Sequence, residues 1–367
     1  MKINQLLNII NTHVPLNTAE SWDNVGLLIG DNDSEITGIL TGLDCTEEVV
    51  DEAISKKCNT IICHHPLIFK GVKQIVEQDG YGAIIRKLIE HQINLIALHT
   101  NLDVYPSGVN AMLANHLKLQ QQRILNPETI HYYKVHVFIP QTHLETFKNN
   151  LSQHGLAQEG EYEYCFFESS GTGQFKPVGN AQPYLGDVGK IEHVEEYKVE
   201  FMINKHQRQT AQQLVEKYHP YETPVYDFIK MEKTADYGLG MIGELEESMS
   251  VQEFVDHAKD ALKMPSVRFV GDNKQQIKKV AIIGGSGIGF EYQAAQQGAD
   301  IFVTGDIKHH DALDAKIAGV NLLDINHYSE YVMKQGLKDL LYLWLDGEDS
   351  SLNIIESELN TDPFEYM

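Results

Sequence analysis

The 367-residue sequence predicts an α/β protein that carries an inserted α+β domain. Two segments, NTIIC at 59–63 and INLIAL at 93–98, are continuously apolar, as parallel strands buried on both faces are. A strand–helix–strand pattern surrounds them and returns at 280–306. The residues between these occurrences follow a different order, so a second domain interrupts an alternating α/β sheet.

The helix after the first predicted strand has a clear start. Thr46 is a capping residue type, and Glu47 and Glu48 place carboxylates in the first turn, where the helix dipole favours negative charge. Apolar residues that follow supply its buried face. A second helix–strand pair is predicted over residues 81–98.

Residues 280–306 align with residues 39–65 without a gap. The strands of the two segments coincide, and the paired histidines that end the first segment align with Gly305 and Asp306. A duplicated α/β unit explains this alignment. Chance similarity between two ordinary βαβ segments is the alternative.

The middle of the chain reads strand, helix, strand, Gly-rich loop, strand, helix, strand. This βαββαβ order is typical of ferredoxin-like α+β modules. We therefore expect a discontinuous α/β core of residues 1–128 and 237–367, with an inserted domain of residues 129–236. The acidic segment 347–367 is expected to lie on the surface or to be partly disordered.

The formal net charge of −23 disfavours general nucleic-acid binding, because such a field repels phosphate backbones. A small anionic ligand remains compatible, since a bound metal ion can dominate a single pocket. No apolar run approaches the ~20 residues that cross a bilayer, so no membrane partner is expected, and the N-terminus lacks a signal-peptide pattern. With four cysteines and no disulfide-dense framework, we expect a cytoplasmic protein with reduced thiols.

His64 and His65 directly follow the predicted strand NTIIC, and Pro66 helps to end it. In open α/β sheets, ligand sites form at this carboxyl edge. Successive side chains of an extended chain diverge, so adjacent histidines chelate one ion poorly but can each hold one of two neighbouring ions. A pair of solvated loop histidines is the alternative.

His99 and Asp103 follow the next strand, in the sequence HTNLD. The carboxylate of Asp103 is a candidate to bridge two cations and offset their charge. A turn or cap role is the alternative for Asp103. His99 is a candidate either to hydrogen-bond to a metal ligand or to contact the substrate.

His327 and Glu330 follow a third apolar strand, in NLLDINHYSE. Their i, i+3 spacing puts both side chains on one face of a helical turn, as in dinuclear carboxylate sites. A capping pair on a surface helix is the alternative. Three strands that each end in histidine or carboxylate residues together predict a site for two divalent ions, which activate water and clamp phosphoryl or carbonyl oxygens.

Other segments give weaker signals. GGSGIG at 284–289 follows a strand and is either an anion cradle or a tight turn; it is not G-x-G-x-x-G, which disfavours a dinucleotide-dependent oxidoreductase. TGDIKHHD at 304–311 also follows a strand, and its polar residues line the same cleft or form a polar helix start: Asp306, Lys308, His309 and His310. The WDN sequence at 22–24 is a structural turn or part of the site, and Lys70 attracts an anionic substrate or is simply solvated.

The chain resembles the Nif-three-like family, whose bacterial members are called GTP cyclohydrolase 1 type 2 homologs. The resemblance covers residues 1 to about 125 and about 240 to 367 and rests on motifs found in the family's order: WDNVGLLIGD, LDCTEEVVDEA, CHHPLIFK, HTNLD, GGSG, TGDIKHHDALDA and NHYSE. The insert, with HPYETPVYDFI at 219–229, looks like the PII-like or CutA-like domain of longer members.

This resemblance implies a three-layer αβα core of two related lobes, assembled as a homohexameric toroid with a dinuclear metal centre facing its interior. It places the metal ligands at His64, His65, Asp103, His327 and Glu330. Two divalent ions per subunit are implied, with zinc ahead of iron or manganese, although these donors suit all three. Many relatives carry a second histidine where this chain has an asparagine before His327, and ligation is assigned to His327.

Two functions are compatible with this reading. The first is a metal-dependent hydrolase of a nucleotide or similar phosphate-bearing small molecule, in which His99 or Asp306 moves protons. In GTP cyclohydrolase chemistry, the attacked carbon would be C8 of guanine. The second is a non-catalytic, oligomeric metal-binding scaffold or regulator, whose PII-like insert senses a ligand.

Overall fold

The computed structural model describes residues 1–77, 80–345 and 352–367. The first residues of the predicted acidic tail, 347–351, therefore lie outside the described residues. Within these ranges, no helix has both the length and the apolar composition needed to cross a bilayer.

The first lobe alternates short strands and helices. Their bounds are α1 (Ile3–His13), β1 (Gly26–Ile29), β2 (Ile39–Gly42), α2 (Glu47–Ser55), β3 (Thr60–Cys63), α3 (Gly80–Glu90), β4 (Asn94–Ala97), α4 (Thr100–Asp103) and α5 (Val109–His116). Strands β2, β3 and β4 are parallel and buried along their length, and β1 pairs antiparallel with β4. The Thr46 side chain accepts a hydrogen bond from the N–H of Val49, so α2 begins after the predicted cap.

The middle of the chain has the order β–α–β–β–α–β. Its elements are β5 (Gln120–Pro140), α6 (Leu144–Gln153), β6 (Phe167–Phe175), β7 (Glu192–Asn204), α7 (Arg208–Tyr218) and β8 (Tyr226–Ser250). The strands lie in the order β6-β7-β5-β8. The strand predicted at 162–169 begins later than expected, because Tyr164 has a positive φ of 62° that interrupts extended backbone.

The chain divides into two compact units, one of residues 1–128 and 236–367 and one of residues 129–235. Residue 236, which the sequence placed in the insert, belongs to the first of these units. Strands β5 and β8 carry the chain from one unit into the other, so both junctions lie inside regular strands.

The second lobe follows β8. Its elements are α8 (Val251–Ala261), β9 (Arg268–Val270), β10 (Gln276–Ile282), α9 (Glu291–Gln296), β11 (Ile301–Thr304), α10 (His309–Ala318), β12 (Leu322–Asp324), α11 (Met333–Trp344) and β13 (Ile354–Glu356). Strands β10, β11 and β12 are parallel, and β9 pairs antiparallel with β12. The last strand, β13, returns to the first lobe and pairs parallel with β2.

Helices α1, α5, α8 and α11 lie between the two sheets. Leu6, Met112, Phe254 and Leu337, one from each helix, pack in one core with the inward side chains of both sheets. Helices α2 and α3 cover the outer face of the first sheet, and α9 and α10 cover that of the second. Each large apolar side chain buried in these layers contributes about 1.5–3 kcal/mol. Each lobe is thus a three-layer αβα structure, and the two lobes share the middle helices.

The two lobes repeat one topology. Strands β1 to β4 match β9 to β12 in order and in direction. Residues 60–63 and 301–304, which coincide in the gapless sequence alignment, form the equivalent central strands β3 and β11. The prediction of two related lobes is therefore confirmed.

A buried asparagine holds the same turn in each lobe. Asn94 Oδ1 accepts a hydrogen bond of 3.1 Å from the N–H of Asp31, and Asn321 Oδ1 accepts one of 2.9 Å from the N–H of Asp272. The glycine before each aspartate has a φ of +135° or +133°, and a Cβ there would lie 2.2 or 2.0 Å from the amide oxygen. A glycine packed against a buried asparagine side chain is thus part of the architecture that the two lobes share.

We predict that Asn94→Ala and Asn321→Ala each lower the free energy of unfolding by about 2–4 kcal/mol. Each change leaves a part-buried N–H and a part-buried carbonyl without their amide partner, and an unsatisfied polar group away from water costs about 1–3 kcal/mol. Urea unfolding followed by circular dichroism measures the effect.

The matched control is Asn273→Ala, an exposed residue of the second turn, which should change stability by less than about 0.5 kcal/mol. Equal stability of the Asn321 variant and this control would show that the buried amide is not required.

Candidate metal centre

The carboxyl ends of the parallel strands converge on one cluster of polar side chains. His64 and His65 follow β3, His99 follows β4, and a 3₁₀ turn over His327–Val332 follows β12. This is the edge where ligand sites form in α/β sheets. Histidine and carboxylate atoms lie within 4.8 Å of one another in three groups: His64, His65 and His99; His65, His327 and Glu330; and His64, Asp103 and Glu330.

Glu330 lies at the centre of this cluster and is only 3% exposed. Its Oε2 lies 3.2 Å from His65 Nε2, 3.3 Å from His327 Nε2 and 3.7 Å from His64 Nε2. Burial alone would raise the pKa of Glu330, but hydrogen bonds with His327 and His65 hold that pKa well below its ordinary value. The carboxylate is therefore ionised and has three imidazole nitrogens around one oxygen.

The Gly-rich turn after β10 makes room for this carboxylate. A Cβ added at Gly284 or Gly285 would lie 2.8 or 2.9 Å from Glu330 Oε1. The N–H of Gly284 donates a hydrogen bond of 2.8 Å to Asn110 Oδ1, which holds the turn in place. Of the two readings of GGSGIG, the structure supports the tight turn, whose small residues let Glu330 approach the backbone.

His64 is fully buried and offers one unsatisfied nitrogen. Its Nδ1 donates a hydrogen bond of 2.8 Å to the Leu98 carbonyl. Its buried Nε2 has no hydrogen-bond partner among the described residues and lies 3.5 Å from Asp103 Oδ1. Burial lowers the pKa of His64 to about 3, so the imidazole is neutral and Nε2 carries a lone pair. Buried polar atoms normally have a partner, and a cation would supply one here.

Carboxylates hold the far nitrogens of the other two histidines. His65 Nδ1 lies 2.7 Å from Asp44 Oδ1, and His327 Nδ1 lies 2.7 Å from Asp306 Oδ2. Burial lowers the pKa of His65, but hydrogen bonds with Asp44 and Glu330 raise it to about 10. The hydrogen bond with Glu330 raises the pKa of His327 to about 9. Carboxylates at Nδ1 orient both rings with Nε2 toward the cluster.

The C-terminal segment also reaches this site. Thr361 Oγ1 donates a hydrogen bond of 2.5 Å to Asp44 Oδ2, on the carboxylate that orients His65. Strand β13, earlier in the same segment, is paired with β2. The described tail, residues 352–367, is thus packed against the core at these points, where the sequence suggested a surface or partly disordered segment.

His99 is held in a comparable way. Its Nδ1 lies 2.9 Å from Asp23 Oδ1, and Asp23 also accepts hydrogen bonds from the N–H and hydroxyl of Thr100. Burial would raise the pKa of Asp23, but these hydrogen bonds with His99 and Thr100 lower it. The Trp22 ring stands edge-on to His99, with centroids 6.2 Å apart. The WDN sequence therefore belongs to the surroundings of the site.

The second carboxylate, Asp103, stands in a crowded negative environment. Burial and the nearby Glu330 carboxylate raise the pKa of Asp103 well above its ordinary value. A cation between two such carboxylates would relieve their repulsion. The residues present therefore fit a divalent metal ion, which is the chemistry that the sequence predicted for this edge.

Cys63 is not a candidate ligand, although it precedes His64. It is fully buried, and its Sγ lies 3.1 Å from the His65 carbonyl. Burial raises the pKa of this thiol well above its ordinary value, so it remains protonated. The donors in the cluster are therefore imidazole nitrogens and carboxylate oxygens, a set compatible with zinc, iron or manganese.

The structure brings together all five residues predicted as ligands, together with His99. The other catalytic candidate, Asp306, contacts His327 Nδ1 and belongs to none of the three groups. Three further sequence candidates are exposed and lie outside the groups formed by the described residues: Lys70, His309 and His310.

A cavity of about 880 Å³ lies beside the cluster. His65, His327, Arg268 and Tyr328 line it, together with tail residues 361–366. Sequence reasoning missed Arg268, which has no motif around it. It also missed Asp44, although this residue lies two residues after the end of β2 and so follows the same strand-end pattern as the predicted ligands. Asp306 was a catalytic candidate and Asp23 lies in the WDN segment, but their role in orienting histidines was not predicted.

Known proteins resemble this chain along its whole length. The model of the family described as Duf34/NIF3 (NGG1p interacting factor 3) matches residues 1–363. The chain is 62% identical over 367 residues to a Staphylococcus aureus (strain COL) protein and 62% identical over 366 residues to a Staphylococcus epidermidis protein. Both are named GTP cyclohydrolase 1 type 2 homolog, and each match covers 100% of both chains.

Solved structures give the same result for the fold. The chain is similar to a Staphylococcus aureus protein with a TM-score of 0.87 and 57% identity, covering 100% of this chain and 99% of that one. It is also similar to a Bacillus cereus protein related to NIF3, with a TM-score of 0.75, 37% identity and the same coverage.

We predict that Asp44→Asn weakens Zn²⁺ binding by about 10–100-fold, because it removes the charged partner that orients a ligand histidine. Competition with a chromogenic chelator measures the affinity. Asp51→Asn, at an exposed position on α2, is the matched control and should bind zinc like the unmodified protein. Unchanged affinity in Asp44→Asn would show that this carboxylate does not orient His65.

Proposed function

The chain belongs to the Duf34/NIF3 family, and from that premise we propose that it holds two divalent metal ions and hydrolyses a nucleotide-like small molecule. The observation that carries this proposal is the buried Glu330 carboxylate, with three imidazole nitrogens within 3.7 Å of one oxygen. The relatives named GTP cyclohydrolase 1 type 2 homolog support a nucleotide as the substrate class.

The three overlapping groups suggest how the ligands divide. His65 and His327 would hold one ion, His64 and Asp103 would hold the other, and Glu330, which belongs to both groups, would be shared. The sequence pointed to Asp103 as the bridging carboxylate, whereas the distances favour Glu330 for that role. Zinc is the proposed metal, with iron and manganese compatible with the same donors.

Divalent ions at such a site lower the pKa of water and polarise a phosphoryl or carbonyl oxygen. His99 would move the proton, because Asp23 holds its Nδ1 and leaves Nε2 for exchange. Asp306 would orient His327 instead of carrying protons, since its carboxylate is already bonded to that ring. The buried carboxylates and hydrogen bonds thus fix each imidazole before substrate arrives.

The adjoining cavity has the size of a nucleotide site, and bound divalent ions would offset the carboxylates of its lining and so admit a phosphate-bearing ligand. Its volume of about 880 Å³ lies within the roughly 300–1,000 Å³ usual for small-molecule sites. The Arg268 side chain lines it and is 67% exposed, although one guanidinium nitrogen is bonded to Asp324. We expect Arg268 to contact the phosphate and the aromatic ring of Tyr328 to contact the base.

The second candidate function is a non-catalytic metal-binding scaffold or regulator, whose insert, proposed to be PII-like, senses a ligand. A cavity inside the inserted unit favours this alternative. For either function, we propose a homohexameric toroid in the cytoplasm as the working form, an expectation supported by membership of the family.

Metal content tests the centre independently of turnover. We predict close to two zinc ions per chain after reconstitution, and one or none for Glu330→Gln, because the shared ligand is lost. Elemental analysis of gel-filtered protein gives the count. Glu247→Gln, at an exposed glutamate, is the matched control and should keep the full content. Two retained ions in Glu330→Gln would contradict its shared role.

Turnover separates the enzyme from the scaffold. We predict that zinc-loaded protein hydrolyses GTP or a member of a phosphoester panel, and that His99→Gln lowers the rate by about 10²–10⁴-fold while keeping both ions. His91→Gln, at an exposed histidine after α3, is the control. A loss of one ion in His99→Gln would make His99 a ligand, and no turnover with any metal would favour the scaffold.

A further inference from the structure

The inserted unit, residues 129–235, contains a cavity of its own of about 410 Å³. Its lining includes four aromatic residues and two carboxylates: Phe138, Phe175, Tyr184, Tyr221, Glu196 and Glu222. Its volume lies within the roughly 300–1,000 Å³ range of small-molecule sites. The cavity is formed by this unit alone, so the metal centre plays no part in it.

The rings come from different parts of the unit and stand close together. Phe138 lies on β5 and Phe175 ends β6, whereas Tyr221 follows α7. The centroid of Tyr221 lies 5.8 Å from that of Phe175 and 6.4 Å from that of Tyr184, and both pairs are tilted. These spacings are typical of packed aromatic pairs. Their faces and edges form the apolar part of the wall.

Glu196 supplies a partly buried carboxylate that has no basic side chain of the described residues as an ion-pair partner. Tyr221 Oη donates a hydrogen bond of 2.6 Å to Glu196 Oε1. Among the described residues, no lysine, arginine or histidine forms an ion pair with it. Glu200, further along the same strand, is different: Lys134 lies 2.6 Å away and Lys198 also pairs with it. Glu196 is thus the carboxylate of β7 that lines the cavity, and its charge is left for a ligand.

The backbone beside Glu196 is shaped to accept this carboxylate. A Cβ added at Gly173 would lie 2.1 Å from Glu196 Oε2. Glycine at this position of β6 therefore lets the carboxylate lie against the neighbouring strand. Any larger residue would push the charged end of Glu196 to another place.

Tyr221 is held in position by a buried histidine. The Tyr221 N–H donates to His219 Nδ1 at 3.0 Å, and His219 Nε2 donates to the Phe138 carbonyl at 2.7 Å. Burial and the hydrogen bond with Glu196 raise the pKa of Tyr221, so its hydroxyl stays protonated and keeps donating. The aromatic wall and the carboxylate are thus tied to each other by directional contacts.

We propose that this cavity binds a small organic cation of the alkylammonium class, with the charged nitrogen beside Glu196 and its alkyl groups against the aromatic rings. Cations are attracted to the faces of such rings, and a carboxylate adds a direct charge partner. The ionisable residues of the lining are Glu196, Glu222, Lys176 and the tyrosines. Two carboxylates against one exposed lysine make the lining acidic, which disfavours an anionic ligand.

Titration calorimetry of the full-length protein tests the proposal with three probes. Choline and n-butylammonium carry the charge, and 3,3-dimethylbutan-1-ol is the neutral isostere of choline. At least one cation should bind about tenfold or more tightly than the neutral alcohol, because charge recognition is the basis of the site. If neither cation binds more tightly than the neutral alcohol, the proposal is overturned.

Variants locate the binding at this cavity. Glu196→Gln, which keeps an acceptor for Tyr221, should weaken cation binding about tenfold, and Gly173→Ala should weaken it by displacing the carboxylate. Glu195→Gln removes the same charge from the exposed neighbouring position, whose side chain points to the opposite face of the strand, and should bind like the unmodified protein. Equal losses in Glu195→Gln and Glu196→Gln, or preferential binding of inorganic phosphate, would contradict the proposal.

Discussion

The buried carboxylate of Glu330 is the constraint on which the arrangement of the site depends. An ionised carboxylate away from water is costly unless it is paired, and this one is surrounded by imidazole nitrogens from His64, His65 and His327. Two glycines leave space for it after β10. Both lobes therefore contribute to its surroundings, because two of the histidines follow β3 and the third follows β12.

The repeated topology explains why two carboxylates meet there. Asp103 stands nine residues after Asn94 at the start of β4, and Glu330 stands nine residues after Asn321, the residue before β12. The two acids thus occupy equivalent positions in the two lobes. Their surroundings differ: hydrogen bonds lower the pKa of Glu330, whereas burial raises that of Asp103. One repeated framework therefore yields two chemically distinct carboxylates.

Sequence reasoning located the cluster because one local rule, polar residues directly after buried strands, applies to each contributing segment. It found His64, His65 and His99 in this way, and the repeated strand pattern gave the two lobes. The carboxylates that orient these rings could not be assigned, because their pairing depends on how separate loops meet in space. The same limit applies to the Gly-rich turn, whose role is defined by Glu330, a residue distant in the chain. The start of β6 was missed because a single positive φ carries no sequence pattern.

The hydrogen bond from Thr361 to Asp44 has a thermodynamic consequence for the C-terminal segment. Asp44 is bonded to His65 on its other oxygen, so the tail and the histidine share one carboxylate. If the docked tail stabilises the orientation of the His65 ring that binds a metal ion, the two events are thermodynamically coupled. A metal ion bound to His65 must then stabilise the docked tail by the same free energy. Amide hydrogen exchange in residues 357–366 thus becomes a remote report on the occupancy of the candidate metal centre.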